Sequence, residues 1–342
     1  MTTGRKTDKT KYFIAADGGG TKLIAVLFDE NLNVLRAEKT GGINEIFKSE
    51  QAIGEELKRL SERLLSGTGV GEIEELAVSL ASRKDTLLQA VSARAKVKNY
   101  TRYNEGETVL AAHGLKYGIA VQAGTGSDVF VFQPHRKEIV GGLGAYLGDE
   151  GSGFEIGCSG IKAAVAAYMG IGEKTSLYPA VFGHFSIAEP RDLLSALVRK
   201  ENSREMTAHV SYIVAEEAEK GDKIARKIFR TAGERLAALT IYGIERCHAP
   251  QNADKSDNKA CAENVQNQGA IEGEIVASGG AWKGYRGMFR AFSRKVRKKY
   301  PEIRVRLAEL SPLAGVAALT AEKYGKNYAE IVQKLKNDFN EL

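Results

Sequence analysis

One short pattern occurs twice in this chain: an apolar strand, a glycine turn and a second apolar strand. Tyr12 to Ala16 runs into Asp17-Gly18-Gly19-Gly20-Thr21-Lys22 and leaves along Leu23 to Phe28. Ile119 to Val121 runs into Ala123-Gly124-Thr125-Gly126-Ser127 and leaves along Val129 and Val131. A turn nearly free of side chains lets backbone N–H groups converge on an anion, and the hydroxyls of Thr125 and Ser127 can donate further hydrogen bonds to phosphate oxygens. In the first turn the acid is the informative residue. A carboxylate at a strand end can hold hydrated Mg²⁺ while Gly19 to Thr21 meet phosphate. Each unit also has a plainer reading as a hairpin turn, with Asp17 satisfying its own backbone. The recurrence at the head of two halves, each passing from strands to helices, points to a duplicated fold with phosphate held between the halves.

The segments around these turns follow simple periodicities. Val34 to Thr40 reads as a third strand ending at Gly41-Gly42-Ile43-Asn44, where Asn44 can bind a ligand hydroxyl or cap the next helix. Ile53, Leu57, Leu60 and Leu64 are spaced for a helix, Leu76 to Leu80 for a strand, Leu87 to Val91 for a helix and Val97 to Tyr103 for a strand. Asn104-Glu105-Gly106-Glu107 then sets two acids at a strand-to-helix turn, a place for catalytic carboxylates and equally for acids that stabilise a helix N-terminus. Gly141 to Gly153 packs Gly144, Asp149 and Glu150 among glycines, a loop able to approach a polyol closely. Asp149 and Glu150 can also be the N-terminal acids of the helix that follows.

Beyond this loop the spacing is mostly helical: Ile161 to Tyr168, Arg191 to Val198, Thr207 to Glu219 and Asp222 to Cys247. In the last, Ile224, Ile228, Ala232, Leu236 and Leu239 form a stripe expected to face a core. Residues 248–273 are polar and read as a surface insertion. Glu274 to Ala277 is a strand entering Ser278-Gly279-Gly280-Ala281-Trp282-Lys283, where a glycine pair allows a flat ring to lie against backbone. The next helix sets Met288, Phe289, Phe292 and Val296 on one side and arginines and lysines elsewhere. Without interleaved aromatics for stacking, that basic side reads as a solvated face, and no nucleic-acid partner is expected. Ile303 to Leu307 is a strand, and Pro312 opens closing helices that carry Ile331, Leu335 and Phe339.

Composition narrows the class. The 342 residues, 43% hydrophobic and 27% charged, suit two globular domains rather than a disordered chain. The balance of 49 basic and 43 acidic residues, formally +6, is compatible with an anionic small molecule. Cys158, Cys247 and Cys261 lie far apart, which indicates neither a zinc site nor a disulfide framework and suggests a reducing, cytoplasmic setting. No apolar run approaches the roughly 20 residues needed to span a bilayer, so no membrane association is expected.

With G-D-E-G-S-G following A-G-T-G-S, the chain resembles the sugar kinase, Hsp70 and actin superfamily. Within it, the BadF/BadG/BcrA/BcrD ATPase family is the match, and its N-acetylglucosamine kinase-like members in particular. The resemblance covers most of the chain. It implies an α/β, two-domain ribonuclease H-like (actin-like ATPase) fold with nucleotide and sugar in the cleft between the domains. The small domain would take residues 1–117 plus 312–342, and the large one 118–311 with the insertion. It also implies ATP and Mg²⁺ as cofactors, a small-molecule sugar as substrate, domain closure that excludes water, and a homodimer.

Carried over by position, Asp17 to Lys22 would be the first phosphate motif, with Asp17 toward Mg²⁺, and Gly124 to Ser127 the second. Gly279, Gly280 and Lys283 would belong to the nucleotide site. Asn44, Gly144, Asp149 and Glu150 would bind the sugar. The family's catalytic base is an aspartate in an N-D-x-E turn, and here Glu105 stands in its place. Leu143 stands where relatives often carry Trp, and Ser82-Arg83-Lys84-Asp85 replaces a glycine-rich turn. The implied activity is an ATP-dependent kinase of glucosamine or N-acetylglucosamine. Alternatives are a kinase of glucose or another polyol, or an ATPase of the same family without sugar turnover. The dehydratase-activating branch needs cysteines near the second phosphate motif, where this chain has Gln122, and Cys158 has no close partner.

Overall fold

The computed structural model describes residues 10–19, 22–43, 49–80, 85–198, 203–248 and 271–326. The chain divides into two compact units, one from Met1–Gly114 and Leu310–Leu342, the other from Leu115–Glu309. Asn44, the turn at 81–84, most of the polar insertion and the segment bearing Ile331, Leu335 and Phe339 lie outside the described residues, as do Gly20 and Thr21.

The first unit contains β1 (Tyr12–Gly18), β2 (Lys22–Asp29), β3 (Val34–Gly41), α1 (Glu50–Leu65), β4 (Glu72–Leu80), α2 (Thr86–Ser92), β5 (Lys96–Arg102) and α3 (Glu105–Ala111). Among the described residues its last helix is α11 (Pro312–Lys323), from the C-terminal part of the chain. The sheet order is β3-β2-β1-β4-β5. The hairpin strands β1, β2 and β3 run antiparallel, and β4 and β5 join β1 in parallel. Both faces are covered, which explains why β1 and β2 are apolar without interruption. Phe13, Ala15, Ile24, Val26 and Phe28 pack with α11, whereas Ile14, Ala16, Leu23, Ala25 and Leu27 pack with α1 and α2. Successive side chains serve opposite faces of the strand.

The second unit repeats this plan. It holds β6 (Gly118–Ala123), β7 (Ser127–Gln133), β8 (Arg136–Gly141), α4 (Gly153–Tyr168), α5 (Leu177–Phe185), α6 (Pro190–Val198), α7 (Ser203–Lys220) and α8 (Lys223–His248). It closes with β9 (Glu274–Ser278), α9 (Ala281–Gly284), α10 (Arg286–Lys299) and β10 (Val305–Leu307). Its sheet order, β10-β9-β6-β7-β8, has the same pattern of an antiparallel hairpin flanked by two parallel strands. In each unit the three parallel strands end at one sheet edge: Gly18, Leu80 and Arg102 in the first, Ala123, Ser278 and Leu307 in the second. Among the described residues no helix is long and apolar enough to cross a membrane.

Two helices differ from the periodicity reading. Helix α4 starts at Gly153, eight residues before the apolar spacing at Ile161, because Gly153, Gly157 and Gly160 are its contact with α7. A Cβ on Gly157 would collide with the Thr207 carbonyl. Glycines used for close packing look like loop in a sequence. Helix α5 has no counterpart in the sequence reading.

A similar approach joins α11 to α3, where a Cβ on Gly315 would collide with the Thr108 carbonyl oxygen. Gly315→Ala should therefore destabilise the protein by about 1–3 kcal/mol through overpacking. Gly54→Ala, inside α1 with no atom within 4 Å of the added methyl, should instead stabilise by about 0.5–1 kcal/mol. Urea denaturation of both variants checks the opposite signs.

Candidate functional site

At the edge of the first sheet, Asp17 is half-buried near the end of β1. Burial pushes its carboxyl up to about 7, with the Lys22 charge acting weakly in the other direction. Among the described residues it accepts no hydrogen bond. Its register partner on β4 is Ser79, whose buried hydroxyl also lacks a partner there. Gly18 is required by the hairpin, since a Cβ would lie 2.9 Å from that of Leu23. Gly19 accepts from Ile43 N–H at 3.2 Å and donates to the Lys22 carbonyl at 3.0 Å. Lys22 is exposed.

Glu105 stands at the same edge, on the first residue of α3 just after β5. With β4 between β1 and β5, the two strand ends are about 10 Å apart laterally. The local sequence sets Glu105 there by a capping box. The Asn104 side chain accepts from Gly106 N–H at 2.8 Å, and the Glu107 carboxylate accepts from Asn104 N–H at 3.2 Å. Glu107 is thereby engaged in the cap, and Glu105 is half-buried.

The second edge is built around the turn at Gly124 to Gly126. Gly124 N–H donates to the Gly126 carbonyl at 2.9 Å, while the carbonyls of Gly124 and Thr125 accept from Gly153 and Phe154 N–H at 2.7 and 3.3 Å. The start of α4 is thus bonded to the turn. The N–H groups of Thr125 and Gly126 have no acceptor among the described residues. Ser127 is buried, and its groups are engaged internally: its N–H donates to Asp149 Oδ1 at 3.3 Å and its hydroxyl to the Glu150 carbonyl at 2.8 Å.

Asp149, buried and in the left-handed region at φ 64°, pairs with Arg204 of α7. A Cβ on Gly126 would lie 2.9 Å from the Arg204 guanidinium and 3.2 Å from the Asp149 carboxylate, so this pair backs the turn directly. Gly144 stands in the open part of the loop at φ 81°, its carbonyl accepting from Gly148 N–H at 2.8 Å. Glu150 is half-buried, while Leu143, Tyr146 and Leu147 are exposed.

Gly279, at φ 109°, lies against the Ala123 carbonyl with no room for a Cβ. Gly280 caps α9, and its carbonyl accepts from Lys283 N–H at 3.0 Å; the Lys283 side chain is exposed. The Trp282 indole donates to the Val121 carbonyl at 3.2 Å and holds α9 on β6. The structure therefore brings the Gly124 turn, the acidic loop and the Gly279 pair together within the second unit, and Asp17 and Glu105 within the first. Sequence reasoning missed Arg204. It lies on a helix face 55 positions after Asp149, with no motif around it.

Asp128, next to the turn, is a second missed residue. Burial, reinforced by the neighbouring Asp149 charge and opposed by Arg204, pushes its carboxyl up to about 6 from its ordinary 3.8. The unfolded chain loses that proton first, so the penalty is absent in strong acid, grows as pH rises from 3.8 to about 6, and is complete at neutral pH. Asp128→Asn should raise stability at pH 7 by about 1–2 kcal/mol, allowing for solvent at this half-buried group. It should change nothing at pH 3. Denaturant titration at both values checks this, and an equal shift at the two would remove the electrostatic explanation.

A family model described as the BadF/BadG/BcrA/BcrD ATPase family matches residues 16–321. The N-acetylmuramic acid/N-acetylglucosamine kinase of Clostridium acetobutylicum is 28% identical over 260 residues, 71% of this chain and 82% of that protein. The N-acetyl-D-glucosamine kinase of Dictyostelium discoideum is 26% identical over 328 residues, 90% of this chain and 97% of that one. Among solved structures, a candidate N-acetylglucosamine kinase of Porphyromonas gingivalis matches with a TM-score of 0.67 at 16% identity, covering 91% of this chain and 99% of its own. The ROK family glucokinase of Streptomyces griseus, solved with glucose and AMPPNP, matches with a TM-score of 0.53 at 14% identity, covering 90% and 98%. At these identities the structures establish a shared fold, the two-domain actin-like one.

Proposed function

This chain belongs to the BadF/BadG/BcrA/BcrD ATPase family, and on that premise we propose that it is an ATP-dependent kinase of an amino sugar. The γ-phosphoryl group would go to a hydroxyl of N-acetylglucosamine, the sugar shared by the two similar kinases, or of glucosamine, the sugar of a third. The observation that carries the reading is the second hairpin, where two adjacent N–H groups, on Thr125 and Gly126, stand without internal acceptors on a turn braced from behind. Preorganised N–H donors of this kind suit a phosphate oxygen. The Thr125 hydroxyl adds a third donor, while Ser127 and Asp149 hold the turn in shape. In this reading the first motif, Asp17 to Lys22, would add further donors, and Gly279, Gly280 and Lys283 would take the nucleoside end.

Mg²⁺ fits Asp17. A carboxylate held up near 7 by burial, without a hydrogen bond among the described residues and beside the orphaned Ser79 hydroxyl, is a group that a divalent cation would compensate. Mg²⁺ usually keeps several waters and shares the substrate phosphates, so one carboxylate can be enough to hold it. Bound there, Mg²⁺ would neutralise charge on the transferred phosphoryl group.

Glu105 accepts the proton of the attacking sugar hydroxyl. Its capping box positions the backbone, so the carboxylate approaches from the first turn of α3. Asn44, Gly144 and Glu150 would bind sugar hydroxyls, and Asp149 acts behind the loop through Arg204. Cytoplasmic homodimers are the expected state, with Met169, Ile171 and Leu194 among the exposed apolar residues of the second unit available for contact. A second reading, nucleotide binding without sugar turnover, draws on Glu105 itself. A carboxylate displaced on the order of 1 Å from the aspartate position can lose roughly 10²-fold in rate.

An assay of ADP release against N-acetylglucosamine, glucosamine, N-acetylmuramic acid and glucose should show stimulation by an amino sugar. No stimulation by any sugar, with ATP still bound, would support the second reading. Glu105→Gln should lower sugar phosphorylation by roughly 10²- to 10⁴-fold with ATP affinity unchanged. Glu107→Gln, which can still complete the capping box, should keep most of the rate. Near-normal turnover in Glu105→Gln would assign the base to another carboxylate.

A further inference from the structure

Within the second unit, helix α7 runs past the features assigned above to the nucleotide, from the Gly126 turn to Gly280. Arg204 lies against Gly126 of the phosphate turn, and Ser211 lies with the Gly124 carbonyl beside Gly153, their atoms 3.5 and 3.1 Å from a Cβ built there. One residue on, the Tyr212 hydroxyl is 3.8 Å from the Cβ that Gly280 lacks. Eight residues of helix separate Arg204 from Tyr212, a rise of about 12 Å, the length scale of phosphates joined to a ribose and base. Gly279 lies against the Ala123 carbonyl, so the end of β9, which leads to Gly280, is held beside the end of β6, which leads into the turn.

Gly280 has no conformational need to be glycine. Its φ of −66° and ψ of −32° suit any residue, and within 4 Å a Cβ would meet only the Tyr212 hydroxyl. The missing side chain keeps a space clear beside the hydroxyl end of an aromatic ring. That ring is 60% exposed on a helix whose neighbouring Val210, Ser211, Val214 and Ala215 are buried. It is supported from the side by His209, with ring centroids 5.1 Å apart, and His209 is stacked in turn on His184 at 5.8 Å. A large exposed aromatic at the end of a phosphate-to-glycine track is a stacking platform without an occupant in the fold itself.

We infer that Tyr212 contacts the base of the bound nucleotide, its ring stacking on the purine in the space left by Gly280. This rests on the kinase reading above and adds the residue that distinguishes a nucleotide from a bare polyphosphate.

Titration calorimetry of the full chain with Mg²⁺ tests it with two probes, ADP and inorganic pyrophosphate. Tyr212→Ala should weaken ADP about tenfold or more, the usual loss for a base-stacking ring, and leave pyrophosphate unchanged. Tyr212→Phe should bind ADP within about twofold of wild type, since the stacking surface remains. Gly280→Val, which fills the space without straining the backbone, should weaken ADP and spare pyrophosphate. ADP affinity in Tyr212→Ala equal to wild type overturns the inference and leaves the kinase reading intact. Equal weakening of ADP and pyrophosphate would make Tyr212 a structural residue and also overturn it. Wild-type protein that binds neither probe would bring down the nucleotide reading, and this inference with it.

Discussion

The Asp149 carboxylate is buried, and taking such a charge out of water costs several kcal/mol unless it is paired and hydrogen-bonded. Here it faces the Arg204 guanidinium and the Ser127 N–H. That arrangement carries much of the second unit's site. It joins the turn after β6, the acidic loop after β8 and the start of α7, three segments far apart in the chain. It also holds a non-glycine residue in the left-handed region, where short polar side chains such as Asp are better tolerated than most. Since the first N–H groups of α4 are bonded to the turn carbonyls, α4 and α7 share the same anchor. Among the described residues the N–H groups of Thr125 and Gly126 take no part in this bonding.

The two sheets reach one arrangement through the same constraint. A hairpin can join antiparallel strands in a few residues, whereas a parallel neighbour needs a crossover. With β1 and β6 each flanked by a hairpin on one side and parallel strands on the other, the hairpin turn and the parallel strand ends fall at one edge. Chemistry placed there is available as a group, in keeping with ligands binding outside the carboxyl ends of strands. The units fill the edge differently. The first places carboxylates, Asp17 and Glu105, at strand ends. The second places N–H donors, glycines and an ion pair.

Glu105 shows how local structure can absorb a change of side chain. Asn104 and Glu107 close a capping box around the start of α3, so the backbone at 105 is set by neighbours and not by the residue itself. A longer acid there changes reach without changing the helix. In the proposed role of this carboxylate, its reactivity would depend on where the sugar hydroxyl lies, a matter of about 1 Å.

Much of the framework was legible in the sequence because it depends on short-range rules. Continuous apolar runs at β1, β2 and β6, the helical spacing of Ile53 to Leu64, and glycine turns between strands each follow from period and turn chemistry. The turns at Gly18 and Gly124, the acids at 105 and 149, and the pair Gly279-Gly280 could be singled out for the same reason. What these residues touch was not readable. Asp149 and Glu150 are adjacent and chemically alike, yet one is buried against Arg204 and the other lends its carbonyl to Ser127. Gly279 and Gly280 are identical letters, yet the first is demanded by a backbone contact, while a Cβ on the second would meet only the Tyr212 hydroxyl at 3.8 Å. Arg204 and Tyr212 sit on a helix with no motif, and the start of α4 resembled a loop because its glycines face another helix. Period and turn chemistry act within a few residues, so the sequence alone determined the strands other than β8, the turns and most helices. Burial and pairing join residues 55 positions apart or more, and only the tertiary structure decided which carboxylate is spent inside and which donors remain outside.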